Sequence, residues 1–233
     1  MQRRYFLRSS LTATAGLGLA ATSARPATAA EPRRTPLRVH TVLYDGVEEQ
    51  DVTGPLAVFG VNADTHRIRQ TFVTADGPRT VTGSTGMEIV VRAPWAPRAA
   101  DLIIVPGGGL GEGSATYREI RRGVLPKALA GARRPGLVMT SVCAGTLLLS
   151  AARITAGRPC TTHHAAKGEL AEQGGKVVDG RVVDDGDLVT CGGVTSGLDL
   201  ALWLTERFYG SRAALFAEMV LEYERRGTVW RAP

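Results

Sequence analysis

The segment Thr140-Ser141-Val142-Cys143-Ala144-Gly145-Thr146 sets one thiol between an apolar run and a helical pattern, with small residues after it. That is the layout of a nucleophile elbow with Cys in place of Ser. The sharp turn lifts the thiol above the sheet edge. The helix N-terminus then favours negative charge, which is expected to lower the thiol pKa toward the reactive thiolate. A buried structural cysteine is the other reading of the same residue. A second group, Pro106-Gly107-Gly108-Gly109, closes another apolar run. It offers backbone donors at a sheet edge, and the N–H groups of Gly108 and Ala144 are the expected oxyanion hole, with Gly107 lining the pocket. A plain tight turn would look the same. Glu112 stands where a dinucleotide fingerprint needs Gly, and no Gly-Lys-Ser/Thr follows, so no cofactor is implied.

Asp51, in Glu48-Glu49-Gln50-Asp51-Val52-Thr53-Gly54-Pro55, has two roles open to it. It can cap a helix, or it can lean over Cys143 as a general acid, since a nearby thiolate favours the protonated carboxyl. Glu48 and Glu49 are expected in solvent. In Thr161-Thr162-His163-His164, Thr162 and His163 are pocket candidates, and His163 could pair with Cys143. A metal site is not expected: adjacent histidines point apart, and no carboxylate or Cys lies at ligand spacing.

To meet, these groups need a scaffold that brings distant segments to one edge. From Leu37 onward short apolar strands alternate with helical patterns, the signature of a parallel sheet covered on both faces. Strands are predicted at 37–44, 68–74, 87–91, 101–105, 137–142, 158–162 and 188–191. Helices are predicted at 52–61, 117–130 (bent near Pro126), 144–152, 164–173, 195–208 and 212–225. A hairpin is predicted over 176–187 around Asp179-Gly180.

The net charge of +6 hints at a nucleic-acid partner, but its location argues otherwise. Four of the 28 basic side chains (Arg3, Arg4, Arg8, Arg25) fall in the first 30 residues, which hold no acidic one, so the rest carries about +2 against 22 acidic side chains. No DNA-binding body is implied. Arg3-Arg4-Tyr5-Phe6-Leu7 is a twin-arginine pattern, followed by a modest apolar run from Leu11 to Ala21 and the small residues Ala27-Thr28-Ala29. The run is too short for a stable membrane span. The expected organisation is a twin-arginine signal peptide at 1–30, a linker at 31–36, one domain at 37–228 and a tail at 229–233, with the mature protein exported. Of three cysteines, Cys160 and Cys191 could bridge outside the cytoplasm, leaving Cys143 as the odd thiol.

The motifs, in this order, resemble the ThiJ/PfpI superfamily, whose fold is that of the class I glutamine amidotransferases. Asp51-Val52-Thr53-Gly54-Pro55-Leu56-Ala57-Val58-Phe59, Ser141-Val142-Cys143-Ala144-Gly145, Arg158-Pro159-Cys160-Thr161-Thr162-His163 and Gly192-Gly193-Val194-Thr195-Ser196-Gly197-Leu198-Asp199 are similar to its isonitrile hydratase branch. The resemblance runs from about Leu37 to about Tyr223. It implies a flavodoxin-like three-layer α/β sandwich with a mostly parallel sheet, and a homodimer acting on a small molecule. Ala144 stands where family proteases carry His, Gly193-Val194-Thr195 replaces the His-x-Glu of amidotransferases, and Asp51 replaces the Glu of the chaperone-deglycase branch. Isonitrile hydratases typically carry Thr at the position of Ala144. The implied chemistry is hydration of an isonitrile by Cys143 with Asp51 as acid. The alternatives are a cofactor-free glyoxalase or deglycase acting on dicarbonyls, and a non-catalytic ligand-binding or redox-sensing domain.

Overall fold

Leu102-Ile103-Ile104-Val105 is apolar at every position, and alternate residues of a strand face opposite ways, so such a run is stable only where both faces are covered. The computed structural model, which describes residues 36–232, buries all four. The twin-arginine pattern, the small residues Ala27-Thr28-Ala29 and all of the linker but Pro36 lie outside the described residues. In chain order the elements begin with β1 (Arg38–Val42), α1 (Glu49–Val61), α2 (Ala63–His66), β2 (Arg69–Val73), β3 (Arg79–Thr82), β4 (Glu88–Val91) and β5 (Leu102–Val105). They continue with α3 (Ala115–Arg122), α4 (Val124–Ala132), β6 (Val138–Ser141), α5 (Gly145–Ala151), β7 (Pro159–Cys160), α6 (Lys167–Glu172) and β8 (Lys176–Val177). The last are β9 (Val182–Asp184), β10 (Leu188–Cys191), α7 (Ser196–Tyr209), α8 (Ser211–Leu221) and β11 (Val229–Arg231).

The main sheet has the order β11-β9-β10-β6-β5-β1-β2. From β10 to β2 all pairings are parallel; β9 runs antiparallel to β10, and β11 parallel to β9. Leu102 and Ile104 pack with Val58 and Phe59 of α1, Leu200 and Leu204 of α7, and Ala217 of α8. Ile103 and Val105 face the other way, toward Leu129 of α4, Leu147 and Leu149 of α5, and Leu170 of α6. The result is the flavodoxin-like three-layer sandwich. Helices α1 and α7 approach closely because a Cβ on Gly197 would lie only 3.2 Å from Pro55 Cδ and 3.3 Å from Val142 Cγ1. This contact ties the helix bearing Asp51 to the strand end bearing Cys143.

Several elements depart from the sequence-based expectation. The single bent helix at 117–130 is two: Gly123, in the left-handed region at φ 71°, ends α3, and Pro126 falls harmlessly in the first turn of α4. The hairpin around Asp179-Gly180 does not form. Lys176–Val177 instead pairs with Pro159–Cys160 in a separate two-stranded sheet, and the real hairpin joins β9 to β10. The predicted strand at 87–91 is outside the main sheet too, paired with β3, which the sequence pattern missed. Val229–Arg231, within the stretch read as a tail, adds an edge strand beside β9. Cys160 and Cys191 belong to the cores on opposite faces of the sheet and are both free, so the conceivable bridge is absent.

Candidate active site

Four adjacent parallel strands, β1, β5, β6 and β10, end at the same edge, so the segments that follow them converge. Cys143 is the turn between β6 and α5, with φ at +56°. A side chain in that region costs on the order of 1–2 kcal/mol, and the surroundings hold it there. Its N–H donates to Gly192 O at 2.9 Å, and its carbonyl accepts from Thr162 Oγ1 at 2.8 Å and more weakly from Thr146 Oγ1 at 3.4 Å. Thr146 Oγ1 also donates to Thr161 O at 2.9 Å, linking the elbow to the chain after β7. Two places after Cys143 the chain must be Gly, because a Cβ on Gly145 would sit 2.0 Å from Val105 O. Cys143 is 6% exposed, and the N–H groups of Ala144 and Val194 lie by the sulfur and favour its charged form.

Asp51 reaches the same place from α1. It is not the helix cap: that position belongs to Glu48, and Asp51 is the third helical residue, fully buried. Its Oδ2 accepts the Gly107 N–H at 2.8 Å, whereas Oδ1 has no partner among the described residues. Burial pushes this carboxyl up to about 7, against the pull of the Gly107 hydrogen bond. Burial likewise pushes the Cys143 thiol up to about 12, with the negative charge of Asp51 adding to the rise. The expectation of a thiol lowered by its helix is therefore reversed. Two backbone donors and a seven-residue helix do not outweigh burial beside a carboxylate. The pair behaves as one unit in which a carboxyl proton is the condition for a thiolate.

Gly107 is the pinch between the two groups. A Cβ there would lie 2.9 Å from Ala144 N and 3.0 Å from Asp51 Oδ2. Gly108 does not serve as predicted. Its N–H donates to Thr116 Oγ1 at 2.9 Å, so the donor is already engaged in anchoring the glycine turn to α3. The pair of donors at the sulfur is Ala144 with Val194, and Val194, at φ 41°, was missed. The signal was present in Gly192-Gly193-Val194-Thr195, a strand–turn–helix junction like that of Cys143. Thr162 braces the elbow. His163 makes no hydrogen bond to Cys143; its Nδ1 accepts the Ala165 N–H at 3.2 Å, and its ring lies against Gly193 and, at 4.2 Å, against His164. Glu48 and Glu49 are not free in solvent: Ser84, at the β3–β4 turn, donates to both, and Thr85 donates twice to Glu49.

The arrangement can present a nucleophilic sulfur, a proton on a neighbouring carboxyl and two N–H donors for developing charge. Residues 37–207 match the model of the DJ-1/PfpI family. The chain is similar to isonitrile hydratase of Pseudomonas putida, 34% identical over 190 residues that span 80% of this chain and 78% of that protein. It is also similar to the glutathione-independent glyoxalase DJ-1 of Schizosaccharomyces pombe, 25% identical over 73% of this chain and 91% of that one. Among solved structures, a ThiJ/PfpI family protein from Pseudomonas syringae superposes with a TM-score of 0.73 at 27% identity, covering 89% of this chain and 85% of that one.

Proposed function

Because the chain belongs to the DJ-1/PfpI family, we propose that it hydrates an isonitrile to an N-substituted formamide through a covalent intermediate on Cys143. The observation that carries this reading is the buried pair itself: a carboxyl pushed up to about 7, with one oxygen unpartnered among the described residues, beside a thiol at a strained elbow. Proton transfer from Asp51 to the terminal carbon makes that carbon electrophilic as the Cys143 thiolate attacks it, giving a thioimidate. Water then adds across C=N, its hydroxyl to carbon and its proton to nitrogen. Loss of the hydroxyl proton to Asp51 forms the formamide C=O, breaks the C–S bond and restores both groups. The N–H groups of Ala144 and Val194 steady the sulfur while it carries charge.

The test is formamide production from a simple alkyl isonitrile by the mature domain, beside Cys143→Ala and Asp51→Asn. Product from the parent alone supports the mechanism; undiminished product from Cys143→Ala overturns it. The similarity to the fission-yeast glyoxalase favours a second reading, in which the same thiol adds to a dicarbonyl. Lactate from methylglyoxal, with no formamide from the isonitrile, would establish that reading in place of the first. The leader supports export by the twin-arginine route; secretion that persists when Arg3 and Arg4 are both replaced by Lys would refute it. Family likeness supports a homodimer, which a single-subunit mass in solution would exclude.

A further inference from the structure

Beside the Cys143 elbow, a cavity of about 430 Å³ opens between the loops that follow β7, β8 and β10. It adjoins the thiol: Val194, whose N–H lies by the sulfur, and Thr162, which holds the Cys143 carbonyl, are both on its wall. The remaining wall is rich in donors. His163 accepts at Nδ1, so its neutral ring carries the proton on Nε2, which lies against Gly193. Burial and the neighbouring His164 disfavour the charged form of that ring. Lys167 and Arg181 add two cations to the wall and Asp179 one carboxylate. Arg181 is fixed from behind by buried Asp199, its Nε donating to Oδ2 at 2.5 Å. Lys167 pairs with Asp179 at 2.5 Å, but the Asp179 side chain is 99% exposed, so this pair lies in water and a competing anion displaces it at little cost. An apolar substituent would desolvate these groups and return nothing, whereas an acidic one can take the Lys167 ammonium from Asp179 and accept from the His163 Nε2–H.

We propose that this cavity receives an anionic substituent, so that the substrate is a carboxylate-bearing isonitrile with the acid a short linker away from the reactive carbon. The reactive group rests on the hydratase reading above; the acid rests on the cavity. The two are separable by experiment. Iodoacetate and iodoacetamide differ in charge but hardly in size, and each alkylates Cys143 by thiolate displacement of iodide. The ratio of their rates, followed at Cys143 by mass spectrometry, reports the cavity without any hydration chemistry. Lys167→Glu should lower the iodoacetate-to-iodoacetamide ratio about fivefold, the scale of one solvent-facing ion pair, and Lys167→Gln by less. Lys127→Glu on α4 should leave the ratio where it was, and matching melting temperatures would show that each variant is folded. A ratio that does not respond to Lys167→Glu overturns the anion site.

In parallel, isocyanoacetate should be hydrated with a KM about fivefold below that of its methyl ester, and Lys167→Glu should erase the difference. Equal KM values together with a flat alkylation ratio would reject the cavity proposal and leave the hydratase standing. A responsive ratio with neither isonitrile consumed would uphold the anion site and remove the hydratase reading.

Discussion

Glu49 and Asp51 stand two residues apart on the first turn of α1, yet the tertiary structure treats their carboxyls in opposite ways. Glu49 faces the β3–β4 turn. Although partial burial works against its charge, the donors of Ser84 and Thr85 hold it down to about 2. Asp51 faces the sheet edge, where the Gly107 N–H is its one donor among the described residues, and burial pushes it up to about 7. The first carboxylate is a clasp that fastens a hairpin to a helix. The second keeps its proton to near neutral pH, at a cost to folding. Two titratable groups driven apart by their surroundings are the usual mark of separated structural and chemical roles.

The largest effect is expected where the chemistry is removed outright. Cys143→Ala should lose formamide production completely while remaining folded; measurable turnover would remove the Cys143 thiol from the chemistry. Asp51→Asn should lower kcat/KM by about 10²–10⁴-fold, the range for loss of a positioned proton donor. The same variant should be more stable than the parent at pH 8. The folded carboxyl is raised from 3.8 to about 7, so stability is lost as pH climbs through that window, on the order of 4 kcal/mol in all. Urea unfolding at pH 8 and at pH 3 checks the sign: a gain at pH 8 that vanishes at pH 3 is expected.

Next in size is the pinch between the two active groups. Gly107→Ala should cost about 10²-fold in activity by displacing Ala144 or Asp51, with a stability loss of about 1–3 kcal/mol seen in the same unfolding assay. The pH profile follows from the coupled pair. The reactive form holds one proton between the two groups, so kcat/KM should rise tenfold per unit up to about pH 7 and level off above it. A falling profile through pH 7 would show that both protons are needed. Smallest is the clasp. Glu49→Gln should destabilise by about 1–2 kcal/mol at neutral pH. Because this carboxyl is lowered from 4.5 to about 2, that contribution is present above pH 4.5 and fades as pH falls toward 2.

Much of this was legible in the residues. A run such as Leu137–Val142 followed by Cys143-Ala144-Gly145 demands a buried strand, a tight turn and a helix, and the strained φ at Cys143 is what that succession produces. The glycine turn at 106–109 and the helix carrying Asp51 were legible for the same reason, since local pattern and turn chemistry are short-range. Donor assignment was not. Whether the Gly108 N–H points at the site depended on Thr116, eight residues on, and the role of Val194 depended on β10 lying beside β6. The two-residue strands β7 and β8 carry too little pattern to reveal their pairing, so Asp179-Gly180 passed for a hairpin turn.

By itself, then, the sequence determined the layered sandwich, the order of its main elements and the candidate thiol and acid, because hydrophobic period, glycine placement and the elbow are local properties. Only the tertiary structure decided how those two groups are charged and which donors serve them. A pKa reports the dielectric and the charges within a few ångströms, and around the Cys143 thiol burial is joined by Asp51, Glu48 and the Val194 N–H, groups that lie far from it along the chain and meet only where four strands end together.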